Sequence, residues 1–238
     1  MSLHLPDARF LGSHIPGTPE WAAVRSGLVV TATEAPVIAG LSRWRSPLSL
    51  WHDKTGTPVE DAAPTAAMRR GIRLEPVIAA RFAEAHPELV VHETGTWASR
   101  VRDWQRATPD RIVTPADGGP TAVLEIKTSS DSSEWGETGT DRVPVAYRGQ
   151  VIWQLDTLGL DVAHVAVLIG DQDYREYTIT WDEDEARYLR ERAADFLDCV
   201  RAGTPPPDDH PSLYPTLRRL SGAVEGAVVG VEQEAEAA

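Results

Sequence analysis

Of the 23 basic residues in this chain of 238, only two are lysines, and one of them, Lys127, stands in the run Leu124-Glu125-Ile126-Lys127. An ammonium is a compact charge with freely turning donors, whereas a guanidinium is a planar fork. A chain that otherwise uses arginine therefore marks position 127 as one that wants a point charge. Glu125 and Lys127 are two apart on an apolar run, so on a strand they share a face. Upstream lies Asp110, in Thr108-Pro109-Asp110-Arg111-Ile112-Val113, and the intervening Pro115-Ala116-Asp117-Gly118-Gly119-Pro120 is dense in turn formers. A hairpin centred between Asp117 and Gly118 sets Asp110 opposite Glu125. Facing like charges destabilise a plain sheet. A hard divalent cation between them removes the penalty. The chemistry suggested is a carboxylate pair holding a metal ion, with a lysine beside it.

The elements that must position this group follow from pattern. Residues 19–26 predict a short helix. Thr31 with Glu34 three later fits a capping box that opens a second helix ending at Gly40. Residues 41–54 mix basic and aromatic side chains (Arg43, Trp44, Arg45, Trp51, His52, Lys54), and residues 53–64 read as an exposed loop. A longer helix spans residues 65–85, kinked or restarted at Pro76. Residues 89–99, 105–114 and 121–128 predict strands. A polar, Gly-rich loop covers 129–140, and a helix runs from 143 to a C-cap near Gly159. Strands at 162–169 and 174–181 and an acid-opened helix from Asp182 to about Ala202 complete a mixed α/β sheet flanked by helices. On the helix of 143–159, Tyr147, Gln150 and Gln154 form one polar stripe, opposed by Val151, Leu155 and Leu158.

Composition narrows the class. With 42% hydrophobic and 25% charged residues the chain has an ordinary globular make-up. A single cysteine, Cys199, excludes an internal disulfide framework or a cysteine-built zinc site. No apolar run approaches a membrane span and no signal-peptide core stands at the start, so the expected compartment is the cytoplasm. The net charge of −13 argues at first against a nucleic-acid partner, but residues 171–238 carry 16 acids against 7 basic residues, leaving about −4 for the first 170. His86, His92 and His164 lack metal-ligand spacing. Trp21, Trp97, Trp104 and Trp153 read as core.

Pro109-Asp110, Glu125-Ile126-Lys127 and Gln150 resemble the motifs of PD-(D/E)XK nucleases. The surrounding residues resemble the lambda exonuclease and YqaJ-type viral recombinase branch: Trp21 and Arg25 before a Thr-containing helix ending at Gly40, the segment from Ser46-Pro47-Leu48-Ser49-Leu50-Trp51 to Lys54-Thr55-Gly56, Gly71 with Glu75-Pro76, and Tyr147 to Gln154 running into Gly159. The resemblance spans about residues 18–181. It implies a restriction-endonuclease-like fold, with one nuclease domain over 1–210 and an extension, 211–238, whose acidic tail is disordered from about 221.

The same resemblance implies a Mg²⁺-dependent exonuclease, with two ions for which Mn²⁺ substitutes. It would digest linear double-stranded DNA in the 5′-to-3′ direction, leave 3′ overhangs for a single-strand annealing protein, and act as a homotrimer in a bacterial host. Asp110, Glu125, the Ile126 carbonyl and Glu75 would hold metal, Lys127 would orient water and offset phosphoryl charge, and Gln150 would bond near the attacking water. Arg25 with Thr31 or Thr33 would receive a DNA phosphate; Arg25 to Thr33 is one residue longer than the family spacing, which leaves both threonines open. Trp44 and Trp51 would stack on frayed bases while Arg43, Arg45 and Lys54 track the backbone, and Tyr147 and Gln154 complete the expected DNA contacts. An endonuclease or single-strand nuclease on this fold, or a non-catalytic DNA-end-binding scaffold, are the competing readings.

Overall fold

The structure, a computed structural model, describes residue 5 and residues 7–56, 65–118 and 121–207. The acidic tail and the extension from 211 lie outside the described residues, as does most of the loop expected at 53–64.

Two sheets share the chain. The larger has five strands in the order β3 (Leu89–Glu93), β6 (Arg111–Pro115), β7 (Ala122–Ser129), β8 (Val162–Ile169) and β9 (Asp173–Thr180). The smaller has four, in the order β1 (Ala8–Gly12), β4 (Thr96–Ser99), β5 (Gln105–Ala107) and β2 (Val30–Thr31). The segments 89–99 and 105–114, expected as single strands, are each two strands that leave one sheet for the other. At the first crossing a Cβ on Gly95 would lie 2.3 Å from the carbonyl oxygen of Gly12, so only glycine lets the two backbones pass. At the second, Thr108-Pro109-Asp110 carries a proline that has no N–H to give a ladder. β1 and β2 are short and were not legible as strands.

The hairpin register is the expected one. β6 pairs antiparallel with β7, Arg111 against Leu124 and Ile112 against Val123, which leaves Asp110 one step beyond the ladder, level with Glu125. β7 then pairs in parallel with β8, and a parallel pair needs a crossover. That crossover contains α5 (Val145–Leu158), ended by Gly159 at φ 67°, a left-handed cap that favours glycine. Alternation along β7 sends Leu124 and Ile126 into a core with Ile78, Ala79 and Phe82 of α4 (Ala66–Ala85), while Val123 joins the core that contains Val151, Ile152 and Leu155 of α5.

α4 is capped by Thr65 and continues unbroken through Pro76. The capping box expected at Thr31 is half present: the Glu34 carboxylate accepts from the Thr31 N–H at 2.8 Å, but Thr31 lies on β2 and the helix, α2 (Ala35–Ile38), starts after Glu34. α5 is buried nearly all round, not amphipathic as its stripe suggested, because it packs between sheets and the helices α2 and α6 (Glu183–Ala202).

One buried acid anchors this layer. The Asp156 side chain, 6% exposed, accepts from Gln105 Nε2 at 2.7 Å, Arg102 Nη2 at 3.0 Å and Arg190 Nη1 at 2.6 Å, tying α5 to the small sheet and to α6. Removing one member of such a group strands its partners. Asp156→Ala is expected to lower unfolding free energy by about 3 kcal/mol in urea titration; a loss below about 1 kcal/mol would show that the arginines rehydrate without penalty.

Candidate active site

Glu125 sits at the centre. Its side chain is 2% exposed, and an ionised carboxylate so placed must be hydrogen-bonded. Oε1 accepts from Lys127 Nζ and from Gln150 Nε2, and Oε2 accepts from Gln154 Nε2 at 2.8 Å. Lys127 shares the face of Glu125, as the two-residue spacing requires, and its ammonium also donates to Gln150 Oε1 at 3.2 Å and lies 5.0 Å from the Tyr147 ring centre. Gln154 therefore does not face DNA; it is fully buried and holds the carboxylate from within, with its own Oε1 unpartnered.

Asp110 meets this group in the plane of the sheet. Its Oδ2 accepts the Ile126 N–H at 2.7 Å, where a ladder bond would otherwise fall. Burial, and then the adjacent Glu125 charge, hold the Asp110 carboxyl well above the usual carboxylate range; Lys127 and the Ile126 N–H oppose this without cancelling it. Burial works to lower the Lys127 ammonium, but Glu125 and Asp110 outweigh it and the net displacement is upward, so Lys127 is a cation at neutral pH. Glu75 projects from α4 into the same cleft, yet its carboxylate is paired with Arg111 Nη1 at 2.8 Å.

Across the cleft, of about 270 Å³, stands Arg25. Its guanidinium lies 4.6 Å from the Trp21 ring centre and donates to Thr108 Oγ1 at 2.8 Å and Thr33 Oγ1 at 3.2 Å. Of the two threonines, Thr33 lines the cleft, while Thr31 is buried behind it, 3.2 Å from the Thr33 hydroxyl. Trp21, expected in the core, is half-buried in the cleft wall. Thr108 was missed; its place directly before Pro109-Asp110, where the chain changes sheets, was the available signal.

The basic and aromatic segment divides. The helix α3 (Pro47–Lys54) turns Lys54 inward, 5% exposed, to Glu34 at 2.9 Å and the Val29 carbonyl at 2.8 Å. Trp51 donates to the Cys199 carbonyl at 3.3 Å and packs on the core, and Arg45 pairs with Asp53. Lys54, and in large part Trp51, are thus committed to the interior and not to the expected DNA contacts, whereas Arg45, 35% exposed, stays in a surface pair with Asp53. Trp44 and Arg43 remain at the surface. A larger cleft of about 580 Å³ between α2, α3 and α6 contains one acid, Asp195, and no carboxylate pair.

The donor set fits a hard cation. Among the described residues no group of three or more His, Cys, Asp or Glu side chains is gathered for a metal, so the site offers the two carboxylates of Asp110 and Glu125, with Glu75 held off by Arg111. That suits an ion such as Mg²⁺, which keeps most of its waters, better than zinc. The unfavourable apposition of Asp110 and Glu125 is what a cation would relieve.

The family model of the YqaJ-like viral recombinase domain matches residues 20–161. The chain belongs to that family. It is 31% identical over 161 residues to the uncharacterized protein YqaJ of Bacillus subtilis (strain 168), a match covering 66% of this chain and 46% of that protein; the chain thus spans about half the length of this relative. The YqaJ-like fold is also that of an alkaline exonuclease, LHK-Exo, from Laribacter hongkongensis, with a TM-score of 0.58 at 21% identity over 78% of this chain and 94% of that one. A phage-related exonuclease from Haemophilus somnus 129PT superposes with a TM-score of 0.51 at 11% identity, over 74% and 96% of the respective chains. The expected restriction-endonuclease-like architecture, a mixed sheet flanked by helices, is therefore present, with a second small sheet added. No described helix is long and apolar enough to cross a membrane.

A folded-state pKa raised above the unfolded value gives stability at low pH that is lost as pH rises through the folded pKa. The metal-free protein should therefore lose stability relative to Asp110→Asn as pH climbs above the ordinary carboxylate range. Thermal melts in EDTA are expected to place Asp110→Asn above wild type at pH 8, with the gap closing near pH 4. Mg²⁺ should raise the wild-type midpoint and leave that of the variant nearly unmoved. A variant melting below wild type in EDTA at pH 8 would contradict the strained pair.

Proposed function

We propose that this YqaJ-like domain is a Mg²⁺-dependent deoxyribonuclease that digests one strand of linear duplex DNA from its 5′ ends, leaving 3′ overhangs for a single-strand annealing protein. The observation that carries this reading is the convergence of Asp110, Glu125 and Lys127 on one cleft whose opposite wall is Arg25. Two bound divalent ions, held by Asp110, Glu125 and the Ile126 carbonyl, with Glu75 released from Arg111 to the second, would supply electrostatic stabilisation of the attacking and leaving oxygens.

The remaining roles belong to the chain. Gln150 and Gln154 fix the Glu125 carboxylate in one orientation; with Lys127 they take three of its roughly four lone-pair sites and leave one, on Oε2, for a ligand. Lys127 spends two of its three N–H donors on Glu125 and Gln150. The third is available to a water or a phosphoryl oxygen, where a fixed cation is worth most as charge develops. Arg25, braced on Trp21 and held by Thr33 and Thr108, offers a planar fork to a phosphate. A terminal 5′ phosphate seated there would place the adjoining linkage toward Asp110 and Glu125. Support for nucleotide binding on this fold comes from LHK-Exo, which has been solved with dAMP. By the lambda-like resemblance the chain would assemble as a homotrimer, which light scattering of the full chain at micromolar concentration tests.

End-labelled linear duplex should be degraded with Mg²⁺ and spared without it, and a closed circle should survive; cutting of the circle would make the enzyme an endonuclease. Asp110→Asn and Glu125→Gln should abolish cleavage with the fold intact. Lys127→Arg keeps the charge but not the compact donor, in a pocket closed by Tyr147, and is expected to slow turnover by about 10²–10³ while duplex binding in Ca²⁺ changes little. Near-wild-type turnover of Lys127→Arg would remove the lysine from the mechanism. Removing the 5′ phosphate from the substrate should raise KM for wild type and make no difference to Arg25→Ala.

A further inference from the structure

Trp44 is the most exposed of the eight tryptophans, at 59%, with Trp181 next at 37%. Keeping so large an apolar ring in water forgoes the stabilisation of its burial, yet its setting is ordered. The backbone N–H of Trp44 donates to Ser42 Oγ at 3.3 Å. Its ring stacks on Tyr147, centroids 6.0 Å apart and planes 25° apart. Tyr147 in turn rests on Trp135, which is buried and packs on Tyr177 of β9. The same Tyr147 ring has the Lys127 ammonium 5.0 Å from its centre. A continuous aromatic chain thus leads from the core, past the proposed catalytic lysine, to one exposed indole within about 11 Å of that ammonium.

We infer that Trp44 is a stacking platform for an unpaired nucleobase one or two nucleotides from the bond to be cut. The inference rests on the nuclease reading and adds a subsite to it. An indole backed by two further rings offers a flat, rigid face that accepts every base alike, because each base has a π-face. Arg43, whose guanidinium lies 4.9 Å from the Trp44 ring centre, makes an exposed pair with Glu134 at 3.7 Å. Such a pair contributes little. A base takes the place of the guanidinium on the ring, and Arg43 turns to the neighbouring phosphate. Trp51 and Lys54 take no part, since both are spent inside the protein.

The test uses the full chain with Ca²⁺ and 12-nucleotide single strands carrying 2-aminopurine at successive positions from the end. At one end-proximal position, fluorescence should be quenched by wild type and by Trp44→Phe but not by Trp44→Ala. An abasic site at that position should weaken binding to wild type by roughly 5- to 150-fold, the usual range for one base–aromatic stack, and should cost Trp44→Ala nothing further. With Mg²⁺ and linear duplex, Trp44→Ala should raise KM by a similar factor and leave kcat within about twofold. Quenching retained in Trp44→Ala, or an abasic penalty equal in both proteins, overturns the platform. Should wild type cleave no DNA at all, the nuclease reading fails while the quenching still decides the stacking site.

Discussion

A single buried carboxylate constrains much of this molecule. Glu125 lies on a central strand with almost no access to water, and desolvating an ionised acid costs several kcal/mol unless donors replace the lost solvent. The chain supplies three: an ammonium two residues along the strand and two amides one turn apart on α5. For those amides to reach, α5 must lie close on the sheet. Gly149 lets α2 approach the helix from behind, since a Cβ there would sit 3.2 Å from Leu41 Cδ1 and 3.5 Å from Pro36 Cβ. The polar requirement of one side chain thus fixes the seating of a helix.

The cleft receives its second acid from the linker before β6, where the chain changes sheets. β5 and β6 would have been one strand, but the chain leaves the small sheet at Thr108 and enters the large one at Arg111. Between them Asp110 is freed from the ladder to accept the Ile126 N–H, and Thr108 is left to hold Arg25. The cleft is therefore a product of two sheets meeting: the linker residues Thr108 and Asp110 face Glu125 and Lys127 of β7, Gln150 of α5 and Glu75 of α4 across it. Placing functional side chains where a rigid scaffold gives way to irregular backbone is the usual solution.

Positive charge is mostly committed to structure. Arg102 and Arg190 neutralise Asp156, Arg148 holds Glu185, Arg111 holds Glu75, and Lys54, the other lysine, is locked beneath Glu34. What faces the cleft is a small selection, Arg25 and Lys127, each braced by an aromatic ring. A net charge of −13 is compatible with an anionic ligand under those conditions, because the field at the cleft is set by the nearby braced cations more than by the charge of the whole chain.

The sequence by itself determined the hairpin register, the facing of Asp110 and Glu125, the shared face of Glu125 and Lys127, and the succession of α4, β7, α5, β8, β9 and α6. Each rests on a period or a turn, quantities carried by neighbours in the chain. It did not determine that residues 89–99 and 105–114 change sheets, that Thr33 rather than Thr31 faces the cleft, that Trp21 lines it, or that Lys54 and Trp51 are used up inside. A side chain's role there depends on which distant backbone lies opposite, and local pattern carries no record of that. Gln154 shows the limit most plainly. A glutamine stripe on a helix has the same periodicity whether it meets solvent, DNA or a buried carboxylate, and only the packing of α5 on β7 decided that it meets Glu125.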